Sequence, residues 1–387
     1  MEICNRDKCS GCFACMNVCP RQAIEKQIDS LGRPMPKVNE TQCIECGLCK
    51  KVCPVVSGVE FRKPKACYAA WNKSDTDRST CASGGIATGF GRTVIEQEGV
   101  VFGTSFREGE NLVLDFEMAD TMEGLEKFKT SKYVQADTAN SYVKAKEQLE
   151  ADKRVLYVGT PCQIAGLQGV LRKDYEKLIT VDIICHGVPP ITYLRDYQNS
   201  VCKGKEAEKA TFRGKDDFVL CFYSQEGKTF YRKDAYQDYY FRAFLESLIY
   251  RENCYTCPYA QENRISDFTI GDFWELDKSA LQVEYTGKVS VILVNTEKAE
   301  RFLLECQDKF YLEQRPLEEA VKGNTQLREP ATPHKDRDLF LKNYRVGEFD
   351  QAIQITCLKK EMRHDSFQNK KKIIRRAVRK VKRIVKR

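Results

Sequence analysis

The run Cys9-x2-Cys12-x2-Cys15-x3-Cys19-Pro20 returns as Cys43-x2-Cys46-x2-Cys49-x3-Cys53-Pro54, and this doubling constrains the chain more than any other feature. Three thiolates at such spacing wrap one corner of a 4Fe-4S cubane, and the fourth reaches across to a second cubane. One centre is therefore assigned to Cys9, Cys12, Cys15 and Cys53, the other to Cys43, Cys46, Cys49 and Cys19. Pro20 and Pro54 turn the chain after the fourth ligand, and Gly11 and Gly47 let each loop fold tightly and aim its amides at sulfur. The connection from Ala23 to Val38 reads as a short helical stretch, a turn at Gly32-Arg33-Pro34 and an extended stretch. Paired zinc sites, the rival reading, normally use two CxxC knuckles and have no use for the doubled run.

The pattern is that of the two-cluster bacterial ferredoxins, so residues 1–60 are expected to form an α+β ferredoxin-like dicluster module that carries electrons singly. A chain of 387 residues with 42% hydrophobic and 30% charged residues suits two or three soluble units. The N-terminus has neither the basic nor the apolar region of a signal peptide, and no apolar run approaches the ~18–20 residues of a membrane span. The expected location is the cytoplasm, where thiols stay reduced and available to iron. Most of the seven scattered cysteines (Cys4, Cys67, Cys81, Cys202, Cys221, Cys306 and Cys357) read as small buried hydrophobes.

Residues 61–66 read as a linker and 67–345 as the larger body. Helix-like stretches are expected at Ile86–Gln97, Ala139–Glu150, Gln163–Leu171 and Tyr236–Tyr250, and strands at Val100–Phe106, Val155–Val158, Val181–Cys185 and Val289–Val294. Such alternation predicts an α/β domain with a mixed sheet. No GxGxxG motif supports dinucleotide binding of the usual kind.

Four motifs in this body carry chemistry. Ser83-Gly84-Gly85 opens a helix, whose free amides and dipole suit a phosphate or flavin pyrophosphate, although an ordinary helix start looks the same. Gly159-Thr160-Pro161-Cys162-Gln163 follows an apolar strand and precedes a helix, where open sheets place ligands. Ile184-Cys185-His186-Gly187 repeats that arrangement, and Cys254-x2-Cys257-Pro258 comes before Ser266–Trp274 (SDFTIGDFW). If Cys162, Cys185, Cys254 and Cys257 converge, four thiolates suffice for a third 4Fe-4S cluster or for zinc.

The order of dicluster pair, SGG, GTPCQIAGL, CHG, FRGK (Phe212 to Lys215), CxxC and SDFTIGDFW resembles the family of beta subunits of coenzyme F-420 hydrogenases and dehydrogenases, over roughly residues 1–345. The resemblance implies a flavin- and iron–sulfur-dependent oxidoreductase. It would place a third cluster on Cys162, Cys185, Cys254 and Cys257. It would place FAD near Ser83, Gly84, Gly85, Thr160, Pro161, Gln163 and His186. His186 is the candidate catalytic proton donor, against a plain structural role. The chain departs from the deazaflavin enzymes of the family, which tend to carry an acidic residue soon after the CxxC. It looks closer to bacterial members found among surface-polysaccharide genes, so the deazaflavin substrate is not carried over.

Residues 346–387 read as a tail. From Lys370 to Arg387 there are eleven basic residues and no acidic one, which leaves the other 369 residues at −3 against +8 for the whole chain. No specific nucleic-acid partner is therefore expected of the body. Ile373, Ile374, Ala377, Val378, Val381, Ile384 and Val385 recur at helical spacing, so a basic amphipathic helix on the anionic inner face of a membrane is expected, with a solvated arm, or one that binds RNA or an acidic protein, as the alternatives.

The expected activity passes electrons from a ferredoxin-type carrier through the clusters to flavin, and reduces or oxidises an unidentified organic substrate. Two rivals remain: an electron-transfer subunit that feeds a partner enzyme, and a non-catalytic redox sensor at a membrane surface.

Overall fold

The computed structural model describes residues 1–214 and 218–364. In the first sixty residues, β1 (Ile24–Ile28) and β2 (Pro34–Val38) pair antiparallel with Ile24 opposite Val38. The stretch after Ala23 is therefore a strand rather than the expected helical turn. So short a segment gains little from helical hydrogen bonds alone, whereas β2 offers it a complete ladder. Asp29 holds the turn by accepting from the amides of Leu31 at 3.0 Å and Arg33 at 2.9 Å. Each ligand run leads into a four-residue helix, Ala14–Asn17 or Leu48–Lys51, entered through left-handed backbone at Phe13 and Gly47.

In the body, β3 (Ala66–Asn72), β4 (Val100–Phe106), β5 (Leu114–Ala119), β6 (Val155–Gly159) and β7 (Leu178–Ile183) enter the main sheet. A side sheet follows, made of β8 (Lys209–Arg213), β9 (Phe218–Tyr223) and β10 (Thr229–Asp234). Then β11 (Phe268–Asp272), β12 (Ser290–Val294) and β13 (Phe310–Gln314) complete an eight-stranded mixed sheet ordered β13-β3-β12-β11-β7-β6-β4-β5. Strands β4, β6, β7 and β11 are parallel neighbours, and antiparallel strands flank them.

Alternation along the strands sends Val100, Phe102, Val155 and Tyr157 to one face, where helices Ser141–Glu150 and Pro161–Leu171 pack. Val101 and Leu156 go to the other, against helices Ile86–Glu96 and Glu297–Cys306. Burial on both faces explains why these strands are near-continuous apolar runs.

Several expectations shift. Strand β7 ends at Ile183, which frees Cys185 and His186 from the ladder. The helix expected over Tyr236–Tyr250 spans only Tyr239–Leu245, capped by the Asp238 carboxylate and followed by Ser247 at φ 54°. The linker is fastened to the body, because Arg62 and Arg264 exchange backbone hydrogen bonds of 2.7 and 2.8 Å. Phe349, Ala352, Ile353 and Leu358 are buried in the largest core, so the body continues past residue 345. The basic stretch from Lys370 to Arg387 lies outside the described residues, as does Lys215 of the FRGK motif. Among the described residues no helix is long and apolar enough to cross a membrane.

Candidate functional site

The eight dicluster cysteines form a gradient of exposure. Cys46 is exposed and Cys9, Cys19 and Cys43 are half-buried, whereas Cys12, Cys15, Cys49 and Cys53 are buried. The loops aim amides at sulfur: Cys19 Sγ accepts from Ala23 at 3.3 Å and Cys43 Sγ from Glu45 at 3.4 Å. The thiols of Cys12 and Cys15 are held above their ordinary pKa by burial, Cys12 at about 12. Four buried thiols with no cation to share cannot ionise together, which is the condition a cluster relieves.

Cys4 is not the isolated buried hydrophobe expected of it. Its thiol lies beside those of Cys53 and Cys9, and this proximity pulls both of them below the usual thiol range. No spacing rule announces it, since it lies five residues before the run it joins.

The module sits on the body through helix Pro161–Leu171. A Cβ on Gly166 would come within 3.2 Å of Cys12 Sγ, and one on Gly169 would collide with the Val52 carbonyl oxygen. The two glycines are three residues apart on one helical face and let the module's backbone lie directly against the helix. Thr138 Oγ1 donates to the Cys12 carbonyl at 2.9 Å, Gln135 Nε2 to that of Ser10 at 2.9 Å, and Thr192 Oγ1 to that of Gly32 at 2.6 Å. Cys9 and Cys12, assigned to the first cluster, thus face the body, and Cys46 of the second faces out.

Directly beyond lie the four body thiols. Cys162 stands at the second position of helix Pro161–Leu171, Cys185 follows β7, and Cys254 and Cys257 bracket a tight turn. Burial raises the pKa of all four, Cys254 to about 12 and Cys257 to about 11, and the negative field of Cys162 adds to the rise at each of the other three. Cys12 also feels Cys162, so the two thiol groups are neighbours. Among the described residues no three thiols lie within 4.8 Å of one another. A tetrahedral zinc with Zn–S bonds of ≈ 2.3 Å needs its sulfurs about 3.8 Å apart, so the thiols stand wider than zinc requires.

Arg264 stiffens this turn. It donates to the carbonyls of Tyr259 at 2.7 Å and Gln261 at 3.1 Å, to Thr269 Oγ1 at 3.0 Å and to buried Asp182 at 2.8 Å. Thr160 and Gln163 form a capping box, with the Thr160 amide donating to Gln163 Oε1 at 2.9 Å and Pro161 at the first helical position. Their polar atoms are thereby engaged in orienting Cys162.

The SGG turn lies further along the same carboxyl edge of the sheet. The Gly84 amide donates to Ser290 Oγ at 2.9 Å, and that hydroxyl donates to Ser83 Oγ at 2.9 Å. Gly85 starts helix Ile86–Glu96 at φ 81° without a side-chain cap, so no side chain claims the first helical amides. Ser290 pairs across the sheet with Asp272, and Asp272 accepts from Arg213, which also donates to the Tyr133 hydroxyl at 2.7 Å.

His186 is exposed at the rim of this group. Desolvation by the surrounding protein lowers its pKa, with Asp272 opposing and Arg213 reinforcing the shift, so the imidazole is neutral at neutral pH. Sequence reading missed Tyr133 and Lys132. Burial pushes Lys132 down to about 7, and its ammonium donates to the carbonyls of Phe128 at 3.0 Å and Lys129 at 2.9 Å. The segment Ser131–Gln135 touches both the module and the sheet edge, but its sequence carries no spacing signal.

Residues 8–57 match the 4Fe-4S dicluster domain family, and residues 152–320 match the family described as the C terminus of the beta subunit of coenzyme F420 hydrogenase/dehydrogenase. The F subunit of the F(420)H(2) dehydrogenase of Methanosarcina mazei is 25% identical over 191 residues, which cover 46% of this chain and 53% of that protein. An uncharacterized protein of Methanocaldococcus jannaschii is 24% identical over 207 residues, covering 46% of this chain and 56% of the relative. The chain thus spans about half the length of these curated relatives. A chain of the F420-reducing NiFe hydrogenase complex from Methanosarcina barkeri aligns with a TM-score of 0.45 at 14% identity, covering 68% of this chain and 91% of that one. One chain thus carries a segment that matches a 4Fe-4S dicluster domain, followed by a segment that matches the C terminus of the coenzyme F420 hydrogenase/dehydrogenase beta subunit.

Proposed function

We propose that the chain is an iron–sulfur electron-transfer subunit that carries single electrons between its surface and a redox centre in the body, and works with a partner enzyme. The carrying observation is the succession of thiol groups, from exposed Cys46 through Cys9 and Cys12 at the seam to Cys162, Cys185, Cys254 and Cys257. Kinship with one component of an F(420)H(2) dehydrogenase supports a partner-bound role over a free-standing enzyme.

In this reading the four body thiols hold a third 4Fe-4S cluster, whose thiolate cage is wider than that of a zinc ion. In the same reading the uncapped start of helix Ile86–Glu96, with Arg213 and His186 along the same edge, would receive FAD. Bound there, a flavin would supply the exchange between one- and two-electron chemistry. Neutral His186 offers a proton acceptor at the rim, and the bond from Arg213 to Asp272 fixes the charges around it.

Anaerobic protein should contain about twelve irons per chain, from three cubanes of four. The double substitution Cys254→Ser and Cys257→Ser should remove about four of them and leave the dicluster signals intact. A fully loaded sample with about eight irons would reduce the body to a site without a cluster. Extraction should also release flavin, and a flavin-free sample that is fully loaded with iron would remove FAD from the reading.

A further inference from the structure

Arg251 is among the largest side chains in the protein that are fully buried, with 2% of its surface exposed. It lies where the module meets the body. Nη1 donates to Gln135 Oε1 at 2.9 Å and to the Pro34 carbonyl at 3.3 Å. Nη2 donates to the Cys9 carbonyl at 3.3 Å and to Met35 Sδ at 3.1 Å. Its backbone is equally committed: the Arg251 amide donates to the Val188 carbonyl, and its own carbonyl accepts from the Cys254 amide, both at 3.0 Å. One residue thus grips the loop of the first cluster with its side chain and the turn of the body thiols with its backbone.

Nothing in this packing explains why the residue must be charged. Each carbonyl could be met by a neutral donor, and a buried guanidinium is costly unless negative charge compensates it. Among the described residues no carboxylate hydrogen-bonds Arg251, the nearby charges of Asp29 and Arg33 act on it in opposite directions, and its buried Nε has no partner. Gly11 makes room for it, since a Cβ there would come within 3.1 Å of Nη2. A buried cation between two groups of thiolates is offset when those groups carry the negative charge of iron–sulfur clusters.

We propose that Arg251 is the positioning residue that seats the first dicluster centre against the body thiols and raises the reduction potential of both relative to the outer centre. Each reduced cubane carries one more negative charge than its oxidised form, so a fixed positive charge beside it stabilises the reduced state. Cys43 and Cys46 bind the outer centre on the exposed side of the module, and no hydrogen bond of the Arg251 side chain reaches either of them. The gradient then draws electrons inward from Cys46. The assignment for the body thiols rests on the third cluster proposed above, and that for the first centre does not.

The test is a redox titration of the anaerobic full-length chain, followed by electron paramagnetic resonance. Arg251→Gln keeps most of the hydrogen-bonding reach and removes the charge, and Arg251→Lys keeps the charge and loses the fork. Arg251→Gln should disfavour reduction of the first centre about tenfold, a shift of about 59 mV for one electron, and leave the outer centre in place. Arg251→Lys should hold both potentials near their native values. Unmoved potentials in Arg251→Gln, or an equal shift of inner and outer centres, would overturn the proposal. An iron count of about eight with the first centre still shifted would remove the third cluster and leave the Arg251 assignment standing.

Discussion

The dicluster module buries Ile3, Ile24 and Val38 around Cys15, Cys49 and Cys53, so half of its own core is thiol. The body instead closes its sheet with Phe90, Phe268, Phe302 and Phe310 on one face and Tyr142, Tyr157, Ile164 and Leu167 on the other. A segment of sixty residues buries too little apolar surface to be secure alone, and metal ligation supplies what its core lacks. The body has enough apolar area to fold without ligands. One chain therefore contains a region ordered by metal and a region ordered by packing, in contact along helix Pro161–Leu171 and through Gln135, Thr138, Thr192 and Arg251.

Removal of iron should break this comparison most visibly. Chelation under reducing conditions should abolish amide-exchange protection across residues 8–57 and leave β4, β6 and β7 protected. Protection retained across the module would mean that its small core suffices. Phe90→Ala comes next. Phe90 is fully buried with ring centroids 4.7 Å from Phe268 and 5.4 Å from Phe310, and its truncation should cost about 3–5 kcal/mol in denaturant unfolding of the body. Iron content under native conditions should not change, because the dicluster ligands do not depend on that face. The smallest effect concerns the seam. Gly169→Ala improves helix propensity but drives a methyl into the Val52 carbonyl, so docking should weaken by about 1–3 kcal/mol. Limited proteolysis between residues 57 and 66 should then accelerate while the body's unfolding midpoint stays put.

The sequence was most legible where chemistry fixes spacing. The eight dicluster cysteines needed only the repeat, because cubane ligation tolerates few alternatives. Strand β4 is found over Val100–Phe106 as expected, since an apolar run buried on both faces advertises itself. Local pattern failed where a distant partner decides. Ile24–Ile28 pairs with β2, a choice its own five residues do not encode. Tyr239–Leu245 stops early because Ser247 takes a left-handed conformation that no side-chain pattern announces. Cys4 and Arg251 were invisible for a related reason. Their importance comes from what folding sets beside them, and a lone cysteine or arginine looks ordinary in one dimension.

The bare helical face at Gly166 and Gly169 also has a kinetic meaning. Electron tunnelling decays exponentially with the gap between donor and acceptor, so a side chain of ordinary size at that seam would slow every transfer across it. At Gly169 the helix backbone meets the Val52 carbonyl directly, and at Gly166 it meets the Cys12 side chain, so little lies between the two halves. Close packing also keeps the gap from breathing. Two residues defined by what they lack thus set the speed of the crossing between the chain's two halves.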